Sequence, residues 1–178
     1  MRREFSAFAG MTRLLTLSAV ISILSLSGCS GARETNVENT VEAGQAIIAL
    51  QGAYAAFNRG DMEAAVAPLG AEIEWTEPAE FPGGGTYHGR EAAKRYLTQS
   101  RAAWAEVSSE PEQFITAGNR IVVFVHARVR AKGSNEWQDV RLADVYTFHD
   151  GKAIQMRAFA DRREALHWVG VNESGKTQ

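Results

Sequence analysis

The stretch AEIEWTEPAEFPGGGTYHGRE, residues 71–91, changes its backbone regime at Pro78. Before it, Ile73 and Trp75 alternate with Glu72, Glu74 and Thr76, the period-2 pattern of a half-buried strand over 71–76. Pro78 has no N–H for a ladder, so it ends that strand or lies on an edge. After it, Gly83-Gly84-Gly85 reads as a mobile flap, with Phe81, Pro82 and Tyr87 as apolar flanks. No Lys-Ser or Lys-Thr follows these glycines, so they are not a phosphate loop. Glu77 has the parity of Ile73 and Trp75 and shares their side. It is either a functional carboxylate there or a solvated charge at a strand end. Glu74 and Glu80 point outward by parity or loop position.

Upstream, from about Val41, Ile47, Leu50, Tyr54 and Phe57 fall on one helical face. Asn58-Arg59-Gly60-Asp61 reads as a helix stop and a restart, with Asp61 as cap of a second helix over 62–69 that ends at Gly70. Downstream, 89–106 predicts a third helix with Ala93, Leu97, Ser100 and Trp104 on one stripe, and Pro111 breaks the chain. The period then becomes two. Strands are predicted over 112–116, 120–131, 136–149 and 152–160, with Asp150-Gly151 as a hairpin signal. Asp161-Arg162-Arg163-Glu164 has the spacing of a cap opening a short helix that ends near Gly170. The order implies an α+β domain with helices on one sheet face. In the 136–149 strand, Asp144 lies on the side of Val140, Leu142, Tyr146 and Phe148. A carboxylate there is costly unless it is protonated, hydrogen-bonded or paired, for example with Arg128 or Arg157.

The first residues are a targeting segment, not part of the domain. Arg2, Arg3 and Arg13 precede a short apolar run over 14–24, too short to span a bilayer, and Leu26-Ser27-Gly28-Cys29 follows. This resembles a bacterial lipobox, in which the Cys is acylated. The implied organisation is a lipoprotein signal peptide over 1–28, lipid attachment at Cys29 and a flexible tether over 29–42. A domain over 43–170 and a disordered tail over 171–178 follow. The implied location is the bacterial cell envelope, outside the cytoplasm, at the outer membrane if there are two. Without the leader the chain has 16 basic and 20 acidic residues, a net charge of −4. That balance argues against nucleic acid as a partner and leaves membrane contact to the lipid. A single Cys excludes an intrachain disulfide. His88, His126, His149 and His167 form no ligand pair, so no metal is expected.

Four motifs fall in a telling order: Tyr54-Ala55-Ala56-Phe57-Asn58-Arg59-Gly60-Asp61, Trp75-Thr76-Glu77-Pro78, Tyr87-His88-Gly89-Arg90-Glu91-Ala92 and Asp150-Gly151-Lys152. Over about residues 43–170 they resemble the SnoaL-like branch of the NTF2-like superfamily, which includes ketosteroid isomerase. The resemblance implies a cone: a curved antiparallel sheet wrapped around three N-terminal helices, with a short C-terminal helix. It implies a mostly apolar pocket for a small apolar or aromatic carbonyl ligand, and a homodimer. Glu77 falls at the family's proton-shuttling carboxylate, and Asp144 at the acid that hydrogen-bonds the developing oxyanion. The family's helix-one tyrosine falls at Ala53, with Tyr54 about 100° further round the helix and pointing elsewhere unless the helix shifts. Trp75, Tyr54, Phe81, Tyr87, His88, Tyr146, Phe159 and Asp161 are the expected pocket residues, although Asp161 also reads as a helix cap. The implied activity is cofactor-independent isomerase, cyclase or dehydratase chemistry. The alternative is a non-catalytic ligand-binding or dimerisation module of the same fold.

Overall fold

The computed structural model describes residues 31–172, so the expected leader over 1–28, Cys29 and residues 173–178 lie outside it. The chain runs α1 (Gly31–Arg59), α2 (Met62–Ala65), β1 (Leu69–Glu77), β2 (Gly85–His88), α3 (Arg90–Ala103), β3 (Glu106–Ala117), β4 (Arg120–Arg130), β5 (Trp137–His149), β6 (Lys152–Phe159) and α4 (Arg162–Trp168). Among the described residues no helix is long and apolar enough to cross a membrane.

The six strands form one sheet in the order β2-β1-β6-β5-β4-β3. All neighbours are antiparallel except β1 and β6, which run parallel. The expected antiparallel sheet thus has one parallel seam, where the meander closes back onto the first strand. Asp150 and Gly151 both take positive φ at the β5–β6 turn, as the hairpin reading requires.

Several boundaries differ from the sequence reading, each for a local reason. The backbone of 31–42, expected as a tether, is part of α1. Its residues 32–42 contain no Pro or Gly, so a helix nucleated downstream propagates back through them. Helix α2 is capped by Asp61, whose carboxylate accepts from the Ala64 N–H at 3.1 Å, but it stops at Ala65. Pro68 cannot continue a helix, so Leu69 and Gly70 belong to β1 instead. The C-terminal half of the expected flap is β2, paired with β1 at Trp75↔Tyr87 and Glu77↔Gly85. Pro111 does not break the chain. It lies inside β3, the sheet's edge strand, beside a register shift between Pro111 and Gln113.

Both faces of the sheet are covered. On one, α1 and α3 pack with Leu50, Tyr54, Ala93 and Tyr96 against Ile73, Val123, Val125 and Met156. On the other, α4 packs Ala165 and Leu166 against Val122, Ala143, Val145 and Phe159. The expectation of helices on one face alone is corrected, because the central strands are apolar on both parities. Val171, assigned to a disordered tail, is buried in this second core.

The turn between β1 and β2 is tight. The Phe81 N–H reaches the Pro78 carbonyl at 3.1 Å, and the Gly84 N–H reaches that of Phe81 at 2.8 Å. A Cβ on Gly84 would overlap the Pro78 carbonyl oxygen and lie 2.8 Å from Ala79 Cα. Gly84→Ala is expected to destabilise the protein by about 1–3 kcal/mol. Gly52→Ala, in α1 with nothing within 4 Å, is expected to stabilise it by about 0.5–1 kcal/mol. Urea unfolding of the two variants measures both signs.

Candidate active site

A cavity of about 350 Å³ lies between the sheet and helices α1 and α3. Most of its wall is aliphatic and aromatic, including Leu50, Phe57, Val125, Val140 and Leu142. Two carboxyls enter it, Glu77 from the end of β1 and Asp144 from the middle of β5.

Asp144 pairs in register with Val123 on β4 and Ala158 on β6, so its side chain follows the apolar parity into the cavity. Its partner is neither Arg128 nor Arg157. Arg128 lies 3.5 Å from Asp139 and over the Trp137 ring, and Arg157 lies over Phe159. Instead, the Tyr54 hydroxyl donates to Asp144 Oδ2 at 2.5 Å, and the Tyr146 hydroxyl lies behind it, 3.4 Å from the Tyr54 oxygen. Desolvation pushes the Asp144 carboxyl up to about 6, against the opposing pull of the Tyr54 hydrogen bond.

Glu77 takes the indole N–H of Trp75 at 2.8 Å, and the Tyr96 hydroxyl also hydrogen-bonds it. Desolvation, reinforced by the charge of Asp144, raises its carboxyl to about 8. Tyr54, Tyr96 and Tyr146 are all raised above the usual phenol value, chiefly by burial, and stay neutral donors.

Tyr54 lines the cavity, on the inward side and not where the alignment with the family's tyrosine turned it. It belongs to the stripe of Leu50 and Phe57, and that stripe sets the inward face of α1, not the alignment of the loop after it. Trp75, Tyr146 and Phe81 also line the cavity as expected. Four expected pocket residues do not. Tyr87 sits behind the wall, its ring 4.7 Å from that of Tyr96 and its hydroxyl donating to the Gly83 carbonyl. His88, opposite Glu74 on β2, is exposed because its parity is the outward one. Phe159 packs on Trp168 across the sheet, where β6 turns that parity toward α4. Asp161 caps α4 by accepting from the Arg163 N–H at 2.8 Å, and a bond to Arg163 holds its carboxyl below the usual range.

Tyr96 was not singled out as a partner of Glu77. Its signal was present, since it stands three residues after Ala93 and four before Ser100 on the inward stripe of α3. Among the described residues no cluster of His, Cys, Asp or Glu could hold a metal.

A cone-shaped sheet closed by two helices over an apolar, acid-bearing cavity defines the NTF2-like class of folds. Residues 50–156 match the SnoaL-like domain family, and the chain belongs to it. Among solved structures it is similar to an NTF2-like protein of unknown function from Burkholderia pseudomallei. That match has 26% identity and a TM-score of 0.60, and covers 70% of this chain and 97% of that one. It is similar to TerC co-crystallised with polyporic acid at 27% identity and a TM-score of 0.59, with the same two coverages, 70% and 97%. A putative SnoaL-like polyketide cyclase from Jannaschia shares the fold at 16% identity and a TM-score of 0.56, covering 67% of this chain and 85% of that one. No match is found among curated proteins.

The two carboxyls make stability depend on pH. Both hold a proton more tightly folded than unfolded, so their contribution is complete below their unfolded values, about 4. It is lost as pH rises, through about 6 for Asp144 and about 8 for Glu77. Glu77→Gln is expected to remove the upper part of this loss and to be more stable than the parent at alkaline pH. Urea midpoints measured against pH check it; parallel curves would place Glu77 in ordinary solvent.

Proposed function

We propose that this protein binds a small apolar carbonyl compound in the cavity and moves a proton on the carbon beside the carbonyl, using its own side chains. The observation that carries this reading is the pair of carboxyls that enter one mostly apolar cavity, both with their proton affinity raised by burial. At neutral pH the pair holds one proton. In this reading Glu77, raised both by burial and by the neighbouring charge, holds that proton, and Asp144 is ionised and accepts from Tyr54. This order is opposite to the roles that the family resemblance implies.

In this reading Asp144 takes a proton from the α-carbon, and the freed electron pair moves onto the carbonyl oxygen. Glu77 donates its hydrogen bond or proton to that oxygen, giving an enol. Where a C=C adjoins the enol, delivery of the proton from Asp144 to the far carbon of that double bond shifts it, the carbonyl re-forms, and the O–H proton, where transferred, goes back to Glu77, completing an isomerisation. The apolar wall lowers the local polarity and strengthens both interactions. TerC, 27% identical to this chain, was crystallised with a small molecule, which supports a ligand-binding role for the cavity.

Solvent deuterium exchange at the α-carbon of a panel of apolar ketones tests this. Asp144→Asn is expected to lose about 10²–10⁴-fold in exchange rate, the range of a lost general base. Glu77→Gln is expected to lose much less, since its amide still donates. The rate should rise with pH through about 6, as Asp144 ionises, and fall through about 8, as Glu77 does. A Glu77→Gln loss larger than that of Asp144→Asn would return the base to Glu77. Exchange by neither parent nor variants would leave ligand binding alone.

We also propose that the domain is held at the cell envelope by lipid on Cys29. The basic start, the short apolar run and the single Cys after Leu26-Ser27-Gly28 support this. More than one acyl chain is needed for stable anchoring. Cys29→Ser is expected to abolish labelled-palmitate incorporation and release the protein from membranes; incorporation by that variant would exclude the site.

A further inference from the structure

Charge in the cavity has one sign. Among the residues that line it, Glu77 and Asp144 are the charged types, and no Lys, Arg or His is among them. Arg101 lies over the ring of Phe57, a lining residue, without lining the cavity itself, and the arginines of the sheet and of α4 stack outside it. Arg128 and Arg130 lie over Trp137, Arg120 over Trp168, and Arg162 over Phe124. Asp144 therefore has a phenol as its partner and no cation, in a mostly apolar wall. A buried anion without a counter-charge is costly, and the counter-ion the fold omits is one that a ligand can bring.

The rings around the carboxyls suit such a ligand. Trp75 is their hub, with Tyr96 at 6.4 Å and tilted 47°, and Tyr146 at 6.3 Å and nearly edge-on. Indole and phenol rings attract cations by their quadrupoles, most strongly when the cation is desolvated. A tertiary or quaternary ammonium suits the site, because its alkyl groups can pack on the aliphatic and aromatic wall while its charge faces the carboxyls.

We propose that the cavity takes an apolar organic cation, a small molecule with a tertiary or quaternary ammonium group, held beside Asp144 and Glu77 among the rings of Trp75, Tyr96 and Tyr146. This rests on the pocket reading above and deepens it by naming the ligand's charge; it does not depend on proton transfer. Carboxylates and phosphates are repelled. A cation beside Glu77 favours its ionised form, so binding below about pH 8 expels a proton. The groups facing Glu77 are Asp144 from β5, Tyr96 from α3 and Trp75 from β1. Tyr54 from α1 and Tyr146 from β5 complete the set around Asp144.

Isothermal titration of the full domain with three probes of similar shape tests the proposal. The probes are choline, its uncharged isostere with a tert-butyl group in place of trimethylammonium, and tert-butylacetate. Choline is expected to bind at least about tenfold more tightly than the isostere. Its affinity should rise with pH through about 8, and tert-butylacetate should bind most weakly. Asp144→Asn is expected to bring choline down to the level of the isostere. Equal or tighter binding of the isostere or the carboxylate, or no choline binding at millimolar concentration, overturns the proposal. The parent protein alone decides that comparison, so a poorly folding variant does not. Isostere binding without choline preference sinks this inference and leaves the proton-transfer reading standing. Choline binding without α-carbon exchange does the reverse.

Discussion

One hydrogen bond, from the Tyr54 hydroxyl to Asp144, connects the two halves of this molecule. Asp144 stands on the apolar parity of a central strand, where an unsatisfied carboxyl costs several kcal/mol. The strands beside it offer Val123 and Ala158, which cannot satisfy it. Its partner comes from 90 residues away, on α1. That bond requires one rotation of α1 about its axis, and the same rotation directs Leu50 and Phe57 into the cavity. The packing of the helix and the protonation of the acid are thus set by one contact.

The sheet's two-sidedness explains the cavity's electrostatics. Val122, Ala143 and Val145 lie on the parity away from the cavity, and α4 covers them. Around that second core the arginines of β4 and β6 lay their guanidinium groups on Trp137, Phe159 and Trp168. Cations are therefore held by rings and surface carboxylates on the outer face, as with Arg128 at Asp139 and Arg162 at Glu112. Arg101 of α3 lies over Phe57 and donates to the Val107 carbonyl, and no Lys, Arg or His is among the cavity's lining residues to neutralise Glu77 and Asp144. The cost is a site that destabilises the fold as its acids ionise, the usual relation between functional groups and stability.

The inward-facing acids were legible because parity is a local property. Glu77 follows Ile73 and Trp75, and Asp144 stands between Leu142 and Tyr146, so alternation alone put both with the apolar residues. Phe159 and His88 were misjudged because being apolar or near a motif does not say which face of a two-sided sheet a parity serves. β2 was missed because four residues behind three glycines have no pattern of their own; they become a strand by pairing with β1. For Tyr54 the count back from a loop and the helical stripe disagreed, and the stripe, which put it with Leu50 and Phe57, gave the direction it takes.

The sequence by itself determined the order of the main elements, the hairpin at Asp150-Gly151, the caps at Asp61 and Asp161, and the side of the sheet on which both carboxyls lie. These follow from backbone sterics and from periods of two and 3.6 residues, which act within a few positions of the chain. Only the tertiary structure decided that Tyr54 meets Asp144, that Trp75 and Tyr96 hold Glu77, and that the arginines lie outside. Those outcomes depend on helix rotation, strand register and the covering of the second face. They also set the proton affinities, because desolvation and the field of a neighbouring charge arise only once distant residues enclose the same space.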